Sequence, residues 1–169
     1  MTAATAPPVA SLPVRDLVSR IVTAGLAGGA VDFIYASVMG VTHGRPVLKV
    51  WQGVASGWLG KAAGDGGLAS GALGVVTHFG IATCMAAAYA LAALRLPVLY
   101  RRWALVAPVY GLILYAVMYR IVLPLRFGPQ AGHWRGIESV LDIASHIGLA
   151  LAAAFVLSRP AAKAARGTR

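Results

Sequence analysis

The sequence predicts an all-α, polytopic membrane protein with four transmembrane helices plus a short interfacial or re-entrant helix at about residues 47–62. Of its 169 residues, 59% are hydrophobic and only 12% are charged, and the mean hydropathy is +0.74. Soluble domains average roughly 45–50% apolar and about 25% charged residues, so a water-soluble globule is excluded. Four apolar stretches reach the length of about 20 residues that a helix needs to cross a bilayer. Each must be helical, because lipid cannot satisfy an open backbone.

These four stretches predict a single transmembrane domain, residues 17–157, between two tails. Residues 1–16 are rich in Ala, Thr and Pro, which is typical of a flexible tail. Residues 158–169 form a basic C-terminal tail. The predicted spans are 17–39, 68–94, 103–125 and 137–157.

The formal net charge is +10, which in a soluble domain would indicate nucleic acid. Here the basic residues lie mostly in short segments between apolar stretches, without interleaved aromatic side chains on which bases could stack. We therefore predict a bilayer with anionic lipids as the partner, and no nucleic acid. An even number of spans puts both termini on one side, and the densest Lys and Arg clusters lie there. The positive-inside rule then predicts a multi-pass protein of the bacterial inner membrane with cytoplasmic N- and C-termini.

The first outer loop contains a segment with helical periodicity, at about residues 47–62. Trp51 and Trp58 share one of its faces, and Gly53, Gly57 and Gly60 lie on another. Such a helix could lie in the interface, or it could re-enter the protein and pack its glycines against a span. The glycines favour re-entry, because a glycine that packs against nothing only weakens a helix.

Small residues also recur at helical spacing in the first two spans. Gly25 and Gly29 share a face with Asp32, and Gly71 and Gly74 share a face with His78. Such faces allow helix backbones to approach closely, so we expect them to point into the bundle and to carry Asp32 and His78 with them. The glycines predicted to serve helix packing are Gly25, Gly29, Gly53, Gly57, Gly60, Gly71 and Gly74.

Polar side chains of all four spans fall in the same half of the membrane, the half away from the predicted cytoplasmic side. At 1.5 Å per residue, most lie roughly 8 to 15 Å deep, with one at the rim. Because charged groups are costly in a membrane and normally pair or line a wet cavity, the convergence predicts a polar pocket that opens to the periplasm. The candidate pocket residues are Asp32, His78, Arg120, Glu138, Asp142 and His146.

Three interpretations of this polar cluster remain open. In a structural role, Arg120 pairs with Glu138 or Asp142, while the two histidines bond to Asp32 or to backbone carbonyls. In a functional role, the cluster is a ligand site or a proton or ion path, since His titrates near neutral pH. In a third, His78 and His146 hold haem or the cluster holds a divalent metal. No haem-attachment or dedicated metal motif is present, so we predict no cofactor, no metal residues and no catalytic residues.

Several short motifs resemble those of a group of small, uncharacterised bacterial inner-membrane proteins with four helices. The motifs are GAVDFIY (29–35), VASGWLG (54–60), GGLASGALG (66–74), THFGIA (77–82) and VLPL (122–125). The resemblance covers roughly residues 20–155 and implies the four-helix fold, but no activity. By position it maps onto Asp32, Ser56, Gly57, Gly60, His78 and Pro124. The segment Lys49 to Gln52 departs from the apolar sequence expected before ASG.

We expect a non-enzymatic inner-membrane protein with a periplasm-facing polar pocket, acting in small-solute, proton or ion transport, in sensing, or as a complex subunit. The alternative is a membrane-bound enzyme or redox protein with a cofactor near His78 and His146. A homo-oligomer or a membrane-protein partner is compatible with either function, because glycine faces serve packing within and between chains equally well.

Overall fold

The structure, a computed structural model, describes residues 13–159 and confirms the predicted all-α fold. Within that range there is no strand, and four helical segments are long and apolar enough to span a membrane. The predicted tails lie largely outside the described residues. The helices are α1 (Val14–Thr42), α2 (Val47–Leu59), α3 (Gly67–Arg95), α4 (Val98–Arg101), α5 (Trp103–Val117), α6 (Leu123–Phe127) and α7 (Ile137–Ser158), with short 3-10 segments at Gly60–Gly64 and Pro129–Gly132.

The spanning helices are longer than their apolar stretches. α1 begins at Val14 rather than at residue 17, so the end of the predicted 1–16 tail is helical. Pro13 occupies the N-cap position, and Asp16 lies in the first turn, where its negative charge interacts favourably with the helix dipole. The hydrophobic pattern locates the part of a helix that is in lipid, whereas caps set where the helix ends.

The third span, Trp103–Phe127, is interrupted by a π-helical turn at Met118–Val122. Pro124, in the first turn of α6, has no backbone N–H to donate to the carbonyl four residues earlier. A wider turn at this point lets the chain continue as a helix after the lost hydrogen bond. The turn changes the direction of the side chains that follow α5.

The four long helices are arranged in the order α3, α1, α7, α5, each packing on the next. Their contacts are made largely by alanine and glycine, which let the backbones approach closely. A Cβ atom at Gly25 would lie 2.4 Å from Thr83 Oγ1 of α3, and one at Gly28 would lie 2.7 Å from the Leu149 carbonyl of α7. The prediction that the Gly25 face of α1 points into the bundle agrees with this packing.

Helix α2 packs on α3, but not through its own glycines. A Cβ atom on Gly74 of α3 would fall 1.8 Å from the Trp51 carbonyl oxygen of α2. A Cβ atom at Gly53 or Gly57 would meet only arginine or phenylalanine side chains within 4 Å, and one at Gly60 would meet nothing. The expected packing role of Gly53, Gly57 and Gly60 is therefore wrong: α3 supplies the small residues, and α2 presents the larger Trp51 face to them.

We call the two ends of the bundle the terminal end, where α1 begins and α7 ends, and the loop end, which carries α2 and residues 128–136. Toward the terminal end, α3 and α5 are joined by a hydrogen bond of 2.8 Å from the Tyr110 hydroxyl to the Met85 carbonyl. Tyr110 also packs on Tyr89, at 5.1 Å between ring centroids. Toward the loop end, a cavity separates α3 from the π-helical turn and α6.

Candidate functional site

The main cavity of about 640 Å³ lies between α3 and the α5–α6 segment, with α1 and α7 at its back and α2 across its loop end. Four of the six predicted pocket residues line it: Asp32, His78, Asp142 and His146. Much of the remaining lining is apolar. The apolar part includes Val54, Trp58, Ile81, Met85, Val122, Leu123 and Phe127.

A smaller cavity of about 310 Å³, the outer cavity, adjoins the main cavity at the loop end. The two share Tyr35, Arg135 and Asp142 in their walls, and Glu138 lines only the outer one. Glu138 thus takes the rim position that its place in the sequence predicts. The polar wall of the main cavity continues through the outer cavity to exposed residues such as His43.

Asp142 is the centre of a hydrogen-bonded network. Its Oδ1 accepts a hydrogen bond from the Tyr35 hydroxyl at 2.7 Å, and its Oδ2 accepts one from Arg135 Nη2 at 2.7 Å. Arg135 also lies 3.3 Å from Glu138 Oε2. Burial lowers the pKa of the Arg135 guanidinium, but the hydrogen bond and charge of Asp142 outweigh that effect and raise it above its ordinary value. The charge of Asp142 is therefore compensated within the protein.

Arg120 does not take the role that the sequence suggests. Its side chain is exposed, its Nη1 donates to the Gly132 carbonyl at 3.2 Å, and it lines neither cavity. The expected pairing with Glu138 or Asp142 is wrong, because Arg120, which lies in the π-helical turn, bonds to the Gly132 carbonyl and forms a salt bridge with neither carboxylate. Arg135, from the loop before α7, makes both ion pairs instead.

Asp32 has different partners from Asp142. It accepts a hydrogen bond from the Ser145 hydroxyl of α7, and His78 Nδ1 lies 3.9 Å from its Oδ2. His78 Nε2 lies 2.9 Å from the Gly29 carbonyl oxygen. Because a carbonyl only accepts, Nε2 carries the proton, and in the neutral ring Nδ1 is an acceptor that faces the Asp32 carboxylate. Within residues 13–159, no Lys or Arg forms a salt bridge with Asp32.

Aromatic rings fix the two histidines. His78 packs edge-on against Trp51, at 5.0 Å between centroids, and Trp51 stacks on Phe33 at 4.4 Å. His146 packs edge-on against Tyr115 and Tyr119, at 5.8 and 5.9 Å. Its Nδ1 lies 2.8 Å from the Asp142 carbonyl oxygen, so Nδ1 donates and Nε2 of the neutral ring is left as an acceptor.

Sequence reasoning did not select Tyr35, Arg135 or His43 for the site. A signal exists for the first two, because Tyr35 follows Asp32 by three residues, and Arg135 precedes Glu138 by three and Asp142 by seven. Such spacings place side chains on one helical face. No spacing connects His43 with Glu138, since their contact joins the end of α1 to the start of α7.

His43 and Glu138 form a pH-sensitive contact at the surface of the outer cavity. His43 Nε2 lies 3.0 Å from Glu138 Oε1, and its Nδ1 lies 2.7 Å from the Met39 carbonyl oxygen. The hydrogen bond to Met39, and then the hydrogen bond and charge of Glu138, raise the pKa of His43 above 6.5, whereas Arg135 and desolvation lower it. A raised pKa means that the contact stabilises the fold fully below pH of about 6.5 and loses this effect as pH rises through the folded-state pKa.

We expect Glu138→Gln to lower the pKa of His43, because the substitution removes the carboxylate charge. The measurement is an NMR titration of the His43 ring, assigned from its loss in His43→Gln. A His43 pKa at or below the ordinary value, or one that is unchanged in Glu138→Gln, would contradict the contact.

No protein-family model matches the chain, and neither the curated proteins nor the solved structures give a significant match. The functional argument therefore depends on the cavity and its chemistry.

Proposed function

We propose that this chain is a binding protein of the bacterial inner membrane for a small amphipathic molecule whose polar head donates hydrogen bonds. In this proposal the mouth of the cavity faces the periplasm, and both termini are cytoplasmic. The observation that carries the proposal is Asp32, a carboxylate on the cavity wall that has no Lys or Arg partner among the described residues.

The size and lining of the main cavity support a ligand of this class. Small-molecule sites typically occupy roughly 300–1,000 Å³ and combine an apolar lining with a few placed polar groups. The main cavity, at about 640 Å³, has this composition. A lipid-soluble body would contact residues such as Ile81, Leu123 and Phe127, while a polar head would reach the wall formed by α1 and α7.

The free polar groups of that wall are mostly acceptors. Asp32 offers a carboxylate oxygen. In their neutral rings, His78 offers Nδ1 and His146 offers Nε2, because the other nitrogen of each ring donates to a backbone carbonyl. The arginines that line the cavity are exposed and lie at its rim. A hydroxyl or amine head satisfies these acceptors, whereas a carboxylate head would bring a second negative charge next to Asp32.

The packing of the terminal half of the bundle favours a binding site that opens at one end, and not a channel that is open at both ends. Its core is made of close-packed alanines with Tyr89, Tyr110 and Leu157 between them. We infer that a bound molecule enters and leaves through the loop end or between α3 and α6, as in a sensor or the binding step of a transporter.

The alternative, a redox protein or enzyme, has one specific observation in its favour. His78 and His146 each donate one ring nitrogen to a carbonyl and keep the other free, which is how a metal-ligating histidine is held. Against a metal centre, no group of three His, Cys, Asp or Glu in residues 13–159 is placed to hold an ion. A Soret band in the absorption spectrum of the purified protein would establish the haem form of this alternative.

The test compares decylamine, decanol and decanoate, which share a chain length, as ligands of the protein in amphipol. We expect the amine and the alcohol to raise the thermal midpoint more than decanoate does. Asp32→Asn should weaken decylamine binding about tenfold, because it removes a charged hydrogen-bond acceptor. Asp65→Asn, an equivalent change at an exposed loop residue, should leave it unchanged. Equal binding of decanoate, or unchanged binding by Asp32→Asn, would refute the proposal.

A further inference from the structure

A third cavity, which we call the basic recess, lies at the loop end beside α2 and shares Arg45, Gly53, Arg126 and Phe127 with the main cavity. It has a volume of about 850 Å³ and is more open than the main cavity. Four cationic side chains line it: Arg45, Lys49, Lys61 and Arg126. No Asp or Glu lines the recess, so its charge is of one sign.

Backbone carbonyls hold three of these cations, with no carboxylate involved. Lys49 Nζ donates to the Gly64 carbonyl at 2.7 Å, Arg45 Nη2 donates to the Lys49 carbonyl at 3.2 Å, and Arg126 Nε donates to the Gly57 carbonyl. In the described part of the chain, none of the four makes a salt bridge. These bonds orient the cations while leaving their charge uncompensated.

A buried polar atom of a residue that lines the recess provides a second, independent observation. Gln52 lines it, is only 3% exposed, and donates its Nε2 to the Gly67 carbonyl at 3.0 Å. Its Oε1 is buried without a hydrogen-bond partner. A buried acceptor without a partner costs free energy until a donor reaches it. The recess thus combines positive charge with a vacant acceptor.

We propose that the basic recess is a binding site for a phosphate group that also carries a hydroxyl. The cations attract the phosphate oxygens, and the hydroxyl donates to Gln52 Oε1. A phosphoglycerol lipid headgroup and free hydrogen phosphate both have this chemistry. The site is separate from the Asp32 wall and does not depend on the function proposed for the main cavity.

The polar stripe of α2 explains why the recess is formed here. Lys49, Gln52, Gly53 and Ser56 recur at spacings of three, one and three along the helix, so they lie on one side of α2, where all four line the recess. Glycine and serine leave room beside the two longer side chains. The small residues at Gly53 and Gly60, which have no packing role, keep the recess open for an occupant.

The first experiment uses native mass spectrometry of the protein offered equal amounts of phosphatidylglycerol and phosphatidylcholine. We expect the wild type to retain phosphatidylglycerol preferentially. The double variant Lys49→Gln/Lys61→Gln should reduce this preference about 25-fold, since each cation near a lipid surface contributes about fivefold. The matched control is Arg101→Gln/Arg102→Gln, which removes the same charge at the terminal end and should keep the preference.

A second experiment separates the two sources of phosphate. Inorganic phosphate is added to delipidated protein, and the thermal midpoint is measured for the wild type and both double variants. The recess is assigned to the free anion if phosphate raises the thermal midpoint of the wild type and the control but not that of Lys49→Gln/Lys61→Gln. It is assigned to the lipid if excess phosphate does not displace the retained phosphatidylglycerol. Should the double variant fail to fold, Lys61→Gln alone serves, because the exposed Lys61 side chain makes no salt bridge within residues 13–159. About a fivefold loss is then expected. Absence of both effects, or equal losses in the test and control variants, overturns the proposal.

Discussion

Gly74→Ala is expected to lower the free energy of unfolding by about 3 kcal/mol, the upper end of the cost of overpacking. The added Cβ would fall 1.8 Å from the Trp51 carbonyl oxygen, and that oxygen belongs to a helix backbone that cannot rotate away. Helix α2 must therefore shift from α3, which also moves Trp51 away from Phe33 and His78. The measurement is the unfolding midpoint in detergent, combined with Trp fluorescence.

The control for this variant is Gly80→Ala on the same helix. A Cβ at Gly80 would meet nothing within 4 Å, and the residue is exposed on the surface of the bundle. We expect Gly80→Ala to be neutral or stabilising by up to about 1 kcal/mol, because alanine has the higher helix propensity. Equal midpoints for the two variants would show that α2 does not pack on Gly74.

Arg135→Gln is expected to destabilise the protein by about 2–3 kcal/mol, and Asp142→Asn by about 1 kcal/mol. The asymmetry arises from burial: the Asp142 side chain is 7% exposed and the Arg135 side chain 43%. Without Arg135, a buried carboxylate loses its compensating charge. In Asp142→Asn, Arg135 keeps its ion pair with Glu138 and its contact with water. Tyr35 can still donate to the amide oxygen of the new side chain.

The double variant Arg135→Gln/Asp142→Asn should cost less than the sum of the two single variants, because its uncompensated carboxylate is gone. Chemical denaturation in a mixed-micelle system measures all three. Arg101→Gln, an exposed arginine at the terminal end, controls for the general effect of losing a positive charge. Strict additivity, or a larger loss for Asp142→Asn than for Arg135→Gln, would contradict the ion pair.

The four spans could be predicted because membrane insertion is a matter of length and hydropathy, and both are visible in the sequence. Helix ends are less visible. α1 runs on to Thr42, beyond the last apolar residues, because the chain at Gly44 needs a positive φ before it can turn into α2. Lys49 and Gln52 in α2 interrupt an otherwise apolar pattern because they face the basic recess and not lipid.

The polar wall of the main cavity could be predicted only as far as the depth of each residue in the membrane determines it. Asp32, His78, Asp142 and His146 lie at similar depth on inward faces, and they share the main cavity. Depth does not determine pairing, since that depends on the rotation of each helix and on how far a loop residue reaches. Arg135 precedes α7, and its long side chain extends along the first turns of the helix to Asp142.

The error over Gly53, Gly57 and Gly60 has a related cause. A small residue indicates open space beside the backbone. It does not indicate whether a neighbouring helix fills that space or whether the space is part of a cavity. Gly74 meets a helix, whereas Gly53 and Gly57 line the main cavity. Telling the two apart requires the position of the neighbouring element, here α6, which a π-helical turn redirects.

The hydrogen bond from the Tyr110 hydroxyl to the Met85 carbonyl ties the third span to α3 near the terminal end. From Tyr110 to Arg126 the helical path is roughly 24 Å long. A tilt of about 5° about the Tyr110 bond would therefore displace the far end of α6 by about 2 Å. At that end, the hydrogen bond from Arg126 to the Gly57 carbonyl joins α6 to α2 at the side of the main cavity. A displacement of α6 away from α2 would therefore have to break this hydrogen bond, while the alanine core near Tyr110 could stay packed.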